Sequence, residues 1–95
     1  MSRPLSGESV FRAIADPTRR RVIEMLLKGE RPVSDIVASI RLKPPAASYH
    51  LRVLSSSGIL KQRRRGTQRM YRVDGRALEA ASQWLGRCVS AASAA

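Results

Sequence analysis

Aromatic side chains are nearly missing from this sequence: one Phe, one Trp and two Tyr among 95 residues. Any core it builds must be aliphatic, and each aromatic residue stands out as an anchor. Cysteine and histidine occur once each. A single thiol forms no internal disulfide, which suits a reducing compartment such as the cytoplasm. One Cys and one His cannot complete a metal site within one chain, so no metal is expected. No apolar run approaches the ~20 residues of a membrane-spanning helix, so no membrane partner is expected. The opening residues MSRPL lack the apolar stretch of a signal peptide. Acidic residues are scarce too: 7 Asp+Glu stand against 18 Lys+Arg, a net charge of +11.

A field of that sign attracts polyanions, nucleic acid first and an acidic membrane surface second. Most of the cations are arginine, whose planar fork suits phosphate and guanine. Catalysis finds little support. There is no Gly-rich phosphate loop and no nucleophile paired with a base, and the sole histidine, His50, lies in a helical stretch. Neither enzymatic activity nor a cofactor is expected.

The length allows one domain, and 43% hydrophobic residues can fill a core. A domain this small is marginal alone, so burial against a second copy would help. Residues 1–7, with Pro4 and Gly7, read as a flexible N-terminal arm. A short helix over 8–15 puts Val10, Phe11 and Ile14 on one side. Asp16-Pro17 signals a new helix, Asp as N-cap and Pro in its first turn. This helix runs to Lys28 with Val22, Ile23, Leu26 and Leu27 inward, and Gly29 ends it. Val33, Ile36, Val37 and Ile40 repeat at helical spacing and predict a helix over 34–40. Residues 41–43 form a turn, and Pro44-Pro45 open a further helix to Ser57 with Ala47, Leu51 and Leu54 inward. Strands follow at 59–63 and 69–73, joined through Gly66. A last helix over 75–89 carries Leu78, Ala81, Trp84, Leu85, Cys88 and Val89 along one face. Residues 91–95 read as a frayed tail.

Two short helices joined by a three-residue turn are a helix-turn-helix signature, and the basic hairpin after the second is a wing. The expected fold is mainly α with a small β-hairpin: a winged helix-turn-helix domain over 8–90, dimeric through its first and last helices. With Ala47, Leu51 and Leu54 facing inward, Pro45, Ala46, Ser48, Tyr49 and Arg52 face a DNA major groove. Lys43 lies just before that helix and suits a phosphate. His50 flanks the buried stripe and suits either DNA or a backbone group. Arg64, Arg65 and Gln68 at the wing tip suit the minor groove. Arg19, Arg20 and Arg21 oppose the dipole at a helix start, and a structural role is favoured for them. The expected pairing surface is Val10, Phe11, Ile14, Leu78, Ala81, Trp84, Leu85 and Cys88.

Several of these stretches resemble the ArsR/SmtB-type repressors: FRAIADPTRRRVIEMLL (11–27), PAASYHLRVL (45–54), GIL (58–60), Gly66 and YRV (71–73). The likeness spans about residues 10 to 85. It implies a homodimeric, sequence-specific regulator that represses transcription from a palindromic operator on double-stranded DNA in the bacterial cytoplasm or nucleoid. It also implies release by an effector, a small ligand or a protein partner. Residues 32–37 lack the cysteine pair of many metal-sensing members, and the last helix offers Glu79 but no His, so the chain is most similar to the subgroup without metal ligands. The family usually carries Gly in the turn where Arg41 stands here. The competing function is a sequence-independent architectural binder, which would hold specific and scrambled duplexes equally well.

Overall fold

The structure is a computed structural model that describes residues 7–94. Its elements are α1 (Gly7–Ile14), α2 (Pro17–Leu26), β1 (Arg31–Pro32), α3 (Val33–Ile40), α4 (Pro44–Ser56), β2 (Leu60–Arg65), β3 (Gln68–Val73) and α5 (Arg76–Ala94). The arm expected over 1–7 lies outside the described residues except Gly7, which begins α1.

Two caps organise the N-terminal half. Asp16 has extended backbone angles and its carboxylate accepts the Arg19 N–H at 3.1 Å, with Pro17 following it. That hydrogen bond holds the Asp16 carboxyl below the usual carboxylate value, helped by the charge of Arg19. Because the folded value is depressed, the cap stabilises the fold above the unfolded pKa near 3.9 and loses that contribution as pH falls through the lower folded value. Asp16→Ala should cost about 1 kcal/mol at neutral pH. In acid the variant and the parent should converge, as chemical denaturation at a series of pH values would record.

Arg19 and Arg20 resolve the puzzle of cations at a helix start. Arg19 donates from Nε to the Ala13 carbonyl at 2.7 Å and from Nη2 to that of Arg12 at 3.2 Å. Arg20 donates from Nη1 to Ile14 and Ala15. Both guanidinium groups therefore sit at the negative C-terminal end of α1 and satisfy carbonyls that lack helical partners. Arg21 remains exposed.

The turn between α3 and α4 is not reshaped by its arginine. Arg41 adopts left-handed angles, φ 56 and ψ 38, and is the one non-glycine with positive φ among the described residues. Its N–H still bonds to Val37 at 3.3 Å. A side chain in this region costs about 1 kcal/mol. Arg41→Gly should therefore raise the unfolding free energy by about that amount, visible as a higher thermal midpoint; an unchanged or lower midpoint would mean the left-handed turn carries no strain.

At the far end of α4 the chain turns back through Ser57 and Gly58. The buried Ser57 hydroxyl donates to the Leu54 carbonyl at 2.8 Å and accepts from the Ile59 N–H at 3.4 Å. Gly58 sits at φ 87, where a Cβ would be strained. β2 then pairs antiparallel with β3, Leu60 opposite Val73 through to Arg65 opposite Gln68. The connection is only Gly66 and Thr67, tighter than the loop expected over 64–68. β3 also pairs with β1, giving the order β1-β3-β2. This third strand was not expected from the sequence.

One aliphatic core joins α1 to α4, the inner face of the sheet and the start of α5: Val10, Ala13, Val22, Leu26, Ile36, Ile40, Leu51, Leu54, Ile59 and Leu60 are buried, with Ala81. Leu27 is corrected by the structure. Expected inside, it is 65% exposed because α2 ends at Leu26. The last helix is longer than the 75–89 expected and stays helical to Ala94, where a frayed tail was expected. From residue 82 to 94 every residue of it is exposed.

Candidate nucleic-acid interface

α4 divides its faces as its sequence demands. Ala47, Leu51 and Leu54 point into the core at 0%, 4% and 0% exposure. Lys43, Pro45, Ala46, Ser48, Tyr49 and Arg52 are exposed along the other side. Within that face Arg52 lies over the Tyr49 ring, its guanidinium carbon 5.9 Å from the centroid. Such stacking holds both side chains out in the solvent. No acidic residue interrupts α4.

His50 departs from this face. It is half-buried, and Arg19 Nη1 lies 3.1 Å from its Nδ1. A guanidinium only donates, so Nδ1 accepts and the ring proton sits on Nε2. The Asp16 carboxylate is 4.0 Å away. His50 thus ties α4 to the junction of α1 and α2, and it leaves the groove-facing set. The signal was in the sequence: His50 lies next to Leu51 and three residues after Ala47, on the flank of the buried stripe.

The hairpin sorts its cations by alternation. Leu60 is buried, and Gln62 and Arg64 share its face with their partners Tyr71 and Arg69. Lys61, Arg63, Arg65, Arg72 and Gln68 occupy the opposite face. Arg64 and Arg65 therefore project in opposite directions. Arg63 is committed elsewhere: its Nε and Nη2 donate to both oxygens of Glu30, at 2.7 and 2.8 Å. This fork holds Glu30 below its ordinary value and Arg63 above its own, the side-chain hydrogen bonds being the main cause in each. It also fastens the hairpin to the segment before β1. Two like-charged pairs stand directly opposite each other, Lys61 with Arg72 and Arg64 with Arg69. Such pairs destabilise an isolated hairpin, so an anion is the natural complement. Sequence reading did not select Arg69, because the strand register that places it opposite Arg64 is a tertiary fact.

At the other end of the molecule, Trp84 meets Phe11 edge-on, ring centroids 5.5 Å apart at 72°. Trp84, Leu85 and Val89 are 49%, 46% and 64% exposed, and Cys88 is exposed. Phe11, Ile14 and Leu78 are half-buried beside them. Val10 and Ala81, expected on the pairing surface, are 2% and 3% exposed inside their own subunit. They support that surface from behind and offer it almost no area. Among the described residues no three His, Cys, Asp or Glu side chains gather where they could hold a metal ion. No described helix is long and apolar enough to cross a membrane.

The profile of the bacterial regulatory proteins of the arsR family matches residues 16–62, from the cap of α2 into β2. The transcriptional repressor SdpR of Bacillus subtilis is 30% identical over 77 residues, 81% of this chain and 86% of that protein. Among solved structures, an ArsR family transcriptional regulator superposes with a TM-score of 0.86 at 26% identity, over 99% of this chain and 97% of that one. The homodimeric winged helix-turn-helix DNA-binding domain of a Mycobacterium bovis protein superposes with a TM-score of 0.68 at 31% identity, covering 88% and 76% of the two chains.

Proposed function

Because this chain belongs to the arsR family of bacterial regulatory proteins, we propose that it represses transcription by binding a palindromic operator as a homodimer. The single observation that carries this reading is the split of α4, whose apolar side is locked in the core while Pro45, Ala46, Ser48, Tyr49 and Arg52 stand in the open beside a cationic hairpin. An α-helix with one free polar face fits the major groove of B-DNA, where base edges differ from pair to pair. Ser48 and Tyr49 supply hydrogen bonds there, and Ala46 and Pro45 supply contact for a thymine methyl. Lys43 and Arg52 neutralise phosphates at the two ends of that face. Arg65 and Gln68, which share a face of the hairpin tip, reach the neighbouring minor groove, while Arg64 projects from the other face.

A single helix reads only a few base pairs, so two copies must act together. The exposed stripe of α5, flanked by Phe11 and Ile14, is the surface for that pairing, with Trp84 at its centre. A helix whose outer 13 residues are all exposed, with only part of Trp84 covered by Phe11, gains stability from a partner, since isolated helices of that length are marginal in water. The protein then works in the cytoplasm, and an effector that alters the α5 pairing alters the spacing of the two reading helices.

Selecting bound duplexes from a random pool tests this. The expected product is an inverted repeat whose half-sites lie one helical turn, about 34–36 Å, or a multiple apart. At fixed salt it should bind at least ~10³-fold more tightly than a scrambled duplex. Equal binding of the two would favour an architectural, sequence-independent role.

A further inference from the structure

Two troughs border the hairpin; Val33 and Arg69 line both, and Arg69 is the charged one of the two. The first, about 320 Å³, lies between α4 and the sheet, with Ser48, Arg52, Gln62 and Arg69 in its walls. The second, about 420 Å³, lies between the start of α3 and the hairpin tip, walled by Ser34, Arg64, Thr67 and Arg69. Arg69 separates them. It stands opposite Arg64, on the sheet face that turns toward α4, and both are exposed. The acidic residues around the hairpin are committed elsewhere: Glu30 is bound to Arg63 on the other face, Asp35 pairs with Arg31 and Asp74 with Arg76. The Arg64–Arg69 pair is therefore left with its mutual repulsion, and Arg52 adds a third cation across the trough.

We propose that Arg69 is the pivot of a phosphate clamp. One strand of the duplex lays its sugar–phosphate backbone along the trough between α4 and the hairpin, and Arg69 grips a phosphodiester that Arg52 and Arg64 flank. The inference rests on the DNA-binding reading above and adds to it a residue and a chemical partner. A guanidinium fork can hold two phosphate oxygens at once, and the negative charge removes the repulsion that the empty hairpin carries. The contact fixes register on the duplex without reading bases.

The test uses the whole protein with a selected duplex and its scrambled counterpart. For Arg69→Ala, affinity for both duplexes should fall about tenfold at 0.1 M salt, as loss of a charged hydrogen bond predicts, and their ratio should hold. The slope of log affinity against log salt should shrink by about 0.9, the value for one phosphate. Thermal stability should not fall, because the change relieves repulsion with Arg64, so weaker binding cannot be traced to unfolding. Arg69→Lys should recover part of the slope. Arg87→Ala, which removes an equal charge from the exposed outer part of α5, should leave the slope as it was. A duplex carrying one methylphosphonate, moved position by position, should weaken the parent at the clamped phosphate while costing the Arg69→Ala variant nothing further there. If the slope is unchanged in Arg69→Ala and every methylphosphonate weakens both proteins alike, the clamp is wrong though the operator reading stands. If the parent itself does not prefer the selected duplex, the operator reading has failed instead.

Discussion

Trp84→Ala should raise the dissociation constant of the dimer by about 30-fold or more, the consequence of losing some 2 kcal/mol at an aromatic hot spot. Trp84 is 49% exposed in the single subunit and touches Phe11 by its edge. Half of a large ring is thus available to a second copy, on a chain that has only one Trp. Within its own subunit the substitution removes little: an aromatic pair contributes about 0.5–1.5 kcal/mol beyond its buried area. Association should fall beyond whatever stability is lost with the Phe11 contact, so the dissociation constant is read on the folded protein. Operator affinity should drop with it, because a monomer engages one half-site and loses the benefit of tethering the second. Sedimentation equilibrium and duplex titration of the same samples would check both effects. An unchanged association constant would move the pairing surface away from α5.

The second large effect is on folding. Leu54→Ala should lower the unfolding free energy by 2–5 kcal/mol, the range for truncating a buried leucine and leaving a cavity. Leu54 is 0% exposed and lies on the inner stripe of α4, one turn before the chain reverses at Ser57. A domain of this size holds only about 5–15 kcal/mol in total. The loss would bring the folded state near its limit at growth temperature, and DNA binding should decline in proportion to the folded fraction. Denaturant titration should show a lower midpoint with the slope retained. A midpoint within error of the parent would mean that α4 is not anchored through Leu54.

The contrast between the two substitutions follows what the sequence made legible. Leu54 belongs to a stripe visible from its spacing, and the same spacing placed Ile36, Ile40, Ala47 and Leu51 in the core. The starts of α2 and α4 were equally plain, since Asp16-Pro17 and Pro44-Pro45 are local signals that act within a turn of their own position. What escaped was set by distant partners. β1 is two residues long and exists because Arg31 and Pro32 meet Tyr71 and Met70 nearly forty positions away. Arg19 and Arg20 looked misplaced until the end of α1 came to meet them. Val10 and Ala81 belong to apolar stripes like their neighbours, and only the packing of α5 on α1 decides that these two face inward. The site divides in the same way. The outward face of α4 was readable from the inward one, and so was His50 on the flank of the buried stripe, whereas its partner Arg19 and the position of Arg69 opposite Arg64 are set by tertiary pairing.

The fork between Glu30 and Arg63 has a consequence for how length is measured along DNA. A hairpin on a loose stalk could reach its groove from many positions and would tolerate variable targets. Fastened by two short hydrogen bonds, it gives up little freedom on docking and cannot follow a groove that has swung away. Each inserted base pair rotates one half of a target by roughly 35° relative to the other. On the proposed operator reading, a pair of such molecules would behave like a calliper with locked jaws, accepting one separation and rejecting its neighbours, and cutting that fork should loosen the jaws before it weakens the grip.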